Sequence, residues 1–278
     1  MKGNRKKWLM AATAFIIVFS AVVVTGCRKS GAKDAEAADA MPRIVVGGDV
    51  QYPPFNYLDE DGQATGIDIE LATEAFHRMG YQPEFVTIDW EQKKQLVDSG
   101  EIDCIWGCFS MQGRENDYKW AGPYMISRQV VAVAEDSKIY TLQDLEDKTI
   151  AVQVTTKPEG ILLRHEDARI PQVRNVLSLQ NRELIYTMLD KGYVDAIAAH
   201  ETSILQYMSD YKESYRILEE PLLVVGLGAA FSLNDDRGIE QELSVVMDEM
   251  RADGTTEQII SKYLPDAAEY LEVEQLEK

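Results

Sequence analysis

The chain is 278 residues long, with 28 basic residues against 47 acidic ones and a formal charge of −19 at pH 7. So large an excess of negative charge argues against nucleic acid and anionic lipid as partners. It leaves an acidic ligand open, because a local pocket can be basic inside an acidic protein.

Lys2, Arg5, Lys6 and Lys7 precede an uncharged apolar run from Trp8 to Val24, the charged and hydrophobic regions of an export signal. Val24-Thr25-Gly26-Cys27 follows at once and resembles a bacterial lipobox, which implies cleavage before Cys27 and a lipid on that cysteine. An uncleaved anchor is the other reading, since the run is near the length of a short spanning helix. Residues 1–26 are therefore expected to be a lipoprotein signal peptide. Residues 27–41 are expected to be the lipidated cysteine and a flexible tether, since Arg28 to Ala40 holds no large apolar side chain. The leader holds four of the 28 basic residues and none of the acidic ones, so the remainder is more acidic still. No other stretch is apolar enough to span a bilayer, and the remaining chain suffices for one large domain or two small lobes.

Arg43 to Gly47 is rich in strand formers, and Ile67 to Met79 has helical apolar spacing closed by Gly80. Glu84 to Thr87 reads as a second strand. Asp89 caps a helix to about Asp98, with Gln92 three residues on as in a capping box, and Ile102 to Trp106 is a third strand. The second half repeats the scheme: a short helix from Thr141 to Asp144, a strand from Thr149 to Val154, a helix from Pro158 to His165, a helix capped by Asn181, and a strand from Val194 to Ala199. Asp236 to Asp253 and Thr256 to Leu264 are helical, separated by Gly254 and stopped by Pro265. Such βαβ series signal mostly parallel sheets with crossover helices.

LVDSGEIDCIWG at 96–107 is echoed by MLDKGYVDAIAA at 188–199: Asp98, Gly100, Asp103 and Ile105 match Asp190, Gly192, Asp195 and Ile197. Both read as a helix closed by glycine and followed by a strand. One such unit in each half predicts two similar α/β lobes. The apolar runs Gln129 to Ala134 and Leu222 to Phe231 bracket the second series and are expected to cross between lobes, forming a hinge.

Ligands sit beyond the carboxyl ends of strands in open parallel sheets, so the residues after each strand are the candidates. Asp49 and Tyr52 follow the first strand in DVQYPPF, whose prolines stiffen a loop carrying aromatic rings; Phe55 is expected to pack on its own lobe. Trp90 follows the second strand. Gly107, Cys108, Phe109 and Arg114 follow the third, and the arginine brings a fork that can grip a carboxylate. In the second half Thr155 and Thr156 stand between strand and helix, where they either hold an anion or cap the helix. His200 and Glu201 follow the echoed strand; Glu201 either meets a cation or is the first-turn acid of the next helix.

On an extended strand Cys104 and Cys108 lie roughly 13 Å apart, too far for a disulfide without a turn. Gly107 can supply a turn, so a bridge stays open, and both cysteines otherwise read as small buried residues. His77, His165 and His200 are scattered, and no metal site or cofactor is expected.

From about Arg43 to Leu264 the chain resembles the extracytoplasmic solute-binding proteins of ABC importers, family 3, the polar amino-acid class. The resemblance rests on DVQYPPF, then Gly62 and Gly66 with IDIELA, Asp89-Trp90, SGEIDCIWG, and Arg114 followed by WAGPY. It continues in Val154-Thr155-Thr156, GYVDAIAA and DGTTEQIISKY. It implies an α/β, two-lobe periplasmic-binding-protein fold of type II, each lobe a mostly parallel sheet flanked by helices and joined by a two-strand hinge. Residues 42–128 and 224–270 would form lobe 1, 129–223 lobe 2, and 271–278 a C-terminal tail.

The resemblance further implies an aromatic wall of Tyr52 and Trp90 and a carboxylate grip by Arg114, to which Gly107 and Thr156 add bonds. The sequence departs from the family at Phe109 and Met111, where hydroxyl residues are common, and at Val154, where glycine is. His200 stands where the family has an aspartate for the α-ammonium. The expected function is that of a membrane-anchored, extracytoplasmic subunit, held by its lipid at the cell membrane. It captures an amino acid or related small carboxylate and delivers it to the ABC permease subunits. It is not expected to be an enzyme; a cyclohexadienyl-dehydratase-type enzyme on the same fold and a ligand-sensing subunit are the alternatives.

Overall fold

The computed structural model describes residues 41–165, 167–273 and 276. The expected export leader, Cys27 and the expected tether up to residue 40 lie outside the described residues. In chain order the elements are β1 (Arg43–Gly48), β2 (Gln51–Tyr52), β3 (Asn56–Leu58), β4 (Ala64–Thr65), α1 (Ile67–Arg78), β5 (Gln82–Thr87) and a 3₁₀ turn at Trp90–Gln92. There follow α2 (Lys93–Ser99), β6 (Cys104–Ile105), β7 (Lys119–Ala134), β8 (Thr149–Gln153), α3 (Lys157–Arg164), β9 (Asn175–Leu179) and α4 (Arg182–Asp190). β10 (Ala196–His200), α5 (Glu201–Tyr211), β11 (Tyr215–Ile217), β12 (Leu223–Phe231), α6 (Ile239–Ala252) and α7 (Thr255–Ile260) complete the series.

Two parallel trios form the ends of one mixed sheet: β1 lies between β5 and β6, and β8 between β9 and β10. β12 and β7 join them as antiparallel neighbours, giving the order β5-β1-β6-β12-β7-β10-β8-β9, with β11 also on β7. This is the two-lobed α/β fold expected, with the lobes sharing two strands rather than owning separate sheets.

The first crossing strand starts at Lys119, ten residues before the expected Gln129. Gly122 and Pro123 disguise it in sequence, since both residues ordinarily break strands. The sheet absorbs them in an irregularity: Met125 pairs with Leu227 and Ala121 with Ala229, so several residues of β7 face Gly228 alone.

Strand residues alternate between two apolar faces. Val131, Ile150, Val152 and Ala196 pack on one side with Leu162 of α3. Val130, Ala132, Ala151 and Ile197 pack on the other with Ile185 and Leu189 of α4. Burial on both sides explains why these strands read as unbroken apolar runs. In the other half Ile44, Val46 and Trp106 pack with Phe76 of α1 and Leu243 of α6.

The echoed segments have a shared structural cause. The N–H of Asp103 donates to the Val45 carbonyl and its Oδ2 accepts from the Val45 N–H at 2.7 Å. Asp195 does the same with Thr149: its N–H meets the carbonyl and its Oδ2 accepts the N–H at 2.8 Å. Each aspartate fastens the entry to its strand onto the neighbouring parallel strand. Gly100 and Gly192, at φ +75 and +65, supply the left-handed turn before it. The third strand is shorter than expected, Cys104–Ile105 only. The Asp89 cap holds, accepting from the Glu91 N–H at 3.0 Å and from Gln92 Nε2 at 3.1 Å, but its first turn is 3₁₀ before α2 begins.

Candidate functional site

Loops beyond the carboxyl ends of β1, β6, β8 and β10 converge on a cavity of about 430 Å³, open solvent at its mouth included. β1 hands the chain through Asp49 to Tyr52, whose ring is 5% exposed. It packs 5.4 Å from Phe55, which is itself fully buried in its own half of the molecule, as expected. Trp90 stands edge-on to Phe109 at 5.3 Å. The guanidinium of Arg114 lies over the same Phe109 ring at 4.8 Å. A phenylalanine in place of a hydroxyl residue thus serves as a platform for the arginine.

Arg114 donates from Nη1 to the Ser110 carbonyl and from Nη2 to the Thr155 carbonyl, both at 3.0 Å. Burial pulls its pKa down from the usual guanidinium value, so an anion at the fork is favoured. Thr155 adopts φ +58; its N–H donates to Glu159 Oε2 at 2.6 Å, and its hydroxyl accepts from Lys93 Nζ at 2.9 Å. Thr156 precedes α3, but its hydroxyl donates to the Gln153 carbonyl at 2.6 Å and caps no helix N–H.

Cys108, at φ +50, is fixed by its N–H donating to Asp68 Oδ2 at 2.6 Å, and Asp68 Oδ1 accepts from the Tyr124 hydroxyl at 2.7 Å. Burial pushes the Asp68 carboxyl up to about 7 against these two hydrogen bonds, and drives the Cys108 thiol up as well. Cys104 and Cys108 are both buried and free, so the turn at Gly107 brings no bridge.

His200 ends β10 at the cavity wall. Its Nδ1 is 2.7 Å from Ser127 Oγ and its Nε2 2.6 Å from Gln129 Nε2. Burial, and then the charges of Arg182 and Arg114, pull its pKa down to about 3. The imidazole is therefore neutral, and the Gln129 contact makes Nε2 the acceptor and Nδ1 the donor to Ser127.

The cavity brings together Tyr52, Trp90, Cys108, Phe109, Arg114, Thr155, Thr156 and His200 from the sequence-derived set. Asp49, Gly107 and Glu201 do not line it. Asp49 turns to Arg182, accepting at 3.1 Å. Gly107 packs backbone against backbone: a Cβ there would lie 3.6 Å from Gly48 Cα and 3.7 Å from the Trp90 ring. Glu201 is the first-turn acid of α5 and pairs with Arg128 at 2.7 Å.

Gln129, Gln153, Arg182 and Ile185 also line the cavity, and sequence reading missed them. Arg182 follows the helix-capping Asn181 after β9, a strand with no periodic signature. Gln129 was visible only as the polar start of an apolar run. Lys157, at the start of α3, lines the cavity as well. Among the described residues no group of His, Cys, Asp and Glu gathers for a metal ion.

Residues 44–266 match the family model of bacterial extracellular solute-binding proteins, family 3. The chain is 29% identical over 234 residues to the histidine-binding periplasmic protein of Escherichia coli strain K12, covering 81% of this chain and 88% of that one. It is 23% identical over 290 residues to the glutamate-binding protein GluB of Corynebacterium efficiens, covering 98% and 96%. A crystal structure of the substrate-binding protein of an amino acid ABC transporter superposes with a TM-score of 0.71 at 26% identity, covering 80% of this chain and 99% of that one. The match spans both trios of the sheet and the cavity between them, and this chain belongs to the bacterial extracellular solute-binding proteins, family 3.

Proposed function

We propose that the chain is the ligand-capturing subunit of an ABC importer, closing two lobes on an amino acid or related small carboxylate and presenting it to the permease. Residues 42–128 with 224–270 act as one jaw and 129–223 as the other. The observation that carries this reading is Arg114: its fork reaches from one jaw to the Thr155 carbonyl of the other at 3.0 Å while resting on Phe109. A carboxylate at that point bonds the guanidinium and joins the jaws, which is how a few charge-assisted bonds couple binding to closure.

Tyr52, Trp90, Cys108, Phe109, Thr155, Thr156 and His200 form the walls around it. Lipidation at Cys27, after export under the leader before it, holds the protein on the extracytoplasmic face, as Val24-Thr25-Gly26-Cys27 suggests. Capture without turnover is favoured by the relatives, which are named as binding proteins. The full-length chain in mild detergent, unfolded and refolded to strip carried ligand, is to be titrated calorimetrically with small carboxylates and amino acids. Binding that disappears in Arg114→Ala, with the circular dichroism spectrum unchanged, supports the grip; binding retained there sinks it.

A further inference from the structure

We infer that the cavity is built for a ligand with two negative charges and no ammonium group, a small dicarboxylate rather than an amino-acid zwitterion. This rests on the reading of the cleft as a capture site and narrows what it captures.

The argument is one of charge. Among the described residues the ionisable lining side chains that carry charge are Arg114, Lys157 and Arg182, and no Asp or Glu lines the cavity. Arg182 is answered from outside by Asp49 at 3.1 Å and by Gln153 Oε1 at 2.7 Å. The Arg114 fork meets backbone carbonyls only, and among the described residues neither it nor Lys157 forms an ion pair with a carboxylate. Lys93 adds a further cation behind the wall, bonded to Thr155 Oγ1 at 2.9 Å and 4.9 Å from the Trp90 ring centre. His200, held between Ser127 and Gln129, is neutral and supplies no negative charge. Gln129 Oε1, buried without a partner, is free to take a hydrogen bond but carries no charge either.

Two half-buried cations that no carboxylate touches directly, with Glu115 and Asp117 offsetting them only from a distance, call for anionic groups in the cavity. An α-ammonium set among them weakens binding on the order of a hundredfold relative to a hydrogen or oxo group on the same carbon. Lys157 reports on the second anion. Burial, then Arg114 and Arg164, hold its pKa down to about 8 against the pull of Glu115 and Asp117. A carboxylate beside it raises that pKa, so a diacid binding at pH 8 draws in roughly half a proton.

The test is calorimetry on the full-length, ligand-stripped chain with glutarate and 2-oxoglutarate against glutamate, and with arginine and histidine. We expect a diacid to bind at least tenfold tighter than glutamate, and, in Tris against HEPES at pH 8, proton uptake that is absent in Lys157→Met. That variant is expected to lose roughly a hundredfold in diacid affinity while a monocarboxylate of the same length changes by less than about threefold. Any of the three amino acids binding tighter than both diacids overturns the inference and leaves the capture reading standing. Equal loss for diacid and monoacid in Lys157→Met also overturns it. No binding of either series by a folded chain overturns both.

Discussion

The guanidinium carbon of Arg182 lies 3.2 Å above the ring centroid of Tyr52, while its Nη1 donates to Asp49 at 3.1 Å. Arg182 begins α4, and Tyr52 and Asp49 follow β1, so one side chain holds together loops from opposite ends of the sheet. Gln180 reaches Glu91 across the same gap at 2.6 Å. These contacts make a latch that runs from the cavity wall, at Tyr52 and Arg182, to Asp49, Gln180 and Glu91 outside it.

The latch is separable from ligand contact at Asp49, which does not line the cavity. Asp49→Asn is expected to raise the ligand dissociation rate roughly tenfold, an effect of about 1.4 kcal/mol, with the association rate changed little. Stopped-flow tryptophan fluorescence measures both rates. An unchanged dissociation rate would remove the latch from the account of closure.

At Arg114 the two-pronged geometry matters as much as the charge. Arg114→Lys keeps a cation but cannot reach Ser110 and a ligand carboxylate in one plane. Affinity is expected to fall roughly 10- to 100-fold in the lysine variant and by about a thousandfold or more in alanine. Lysine matching arginine in calorimetry would reduce the site to a point charge.

Asp68 and His200 titrate with opposite consequences. The folded pKa of Asp68, about 7, lies above its unfolded value, so its contribution to stability is lost as pH rises from about 4 to 7. The folded pKa of His200, about 3, lies below its unfolded value, so its contribution is lost as pH falls from about 6.5 to 3. Between about pH 4 and 6.5 the two slopes cancel. Asp68→Asn should unmask stability that rises with pH, and His200→Gln stability that falls with it, each by up to about 1.4 kcal/mol per pH unit. Urea melts at pH 4.5, 5.5 and 6.5 check this; parallel profiles for the two variants would contradict it.

The echoed aspartates should matter to stability rather than to binding. Asp195→Ala removes the acceptor of the Thr149 N–H at an exposed strand entry and is expected to cost about 0.5–1.5 kcal/mol with ligand affinity unchanged. Urea midpoints with and without ligand separate the two effects.

Much of this is legible in the sequence. The echo of Asp103 in Asp195 foretold two halves of one design, because the same backbone bonds need the same side chain. Tyr52, Trp90 and Arg114 were legible because each follows a strand in a parallel series. What stayed hidden depended on pairing between distant segments. β7 was cut short in sequence by Gly122 and Pro123, and only its partner β12 shows how the sheet passes them. Arg182 and Gln153 come from separate segments and meet at 2.7 Å in the cavity wall, a relation no local spacing encodes. Glu201 looked like a ligand group by proximity to His200, but the first turn of α5 aims it at Arg128.

The sharing of β7 and β12 has a consequence for the life of the molecule before it meets a ligand. Leu223 to Phe231 arrives late in synthesis, yet β12 fills the place between β6 and β7. Until it does, the first trio ends in an open edge, the kind of surface that recruits another chain. Neither half is therefore expected to be stable as an excised fragment, and truncation before residue 223 should yield aggregates rather than a smaller binder. The two strands shared by the halves thus tie the folding of each half to that of the other.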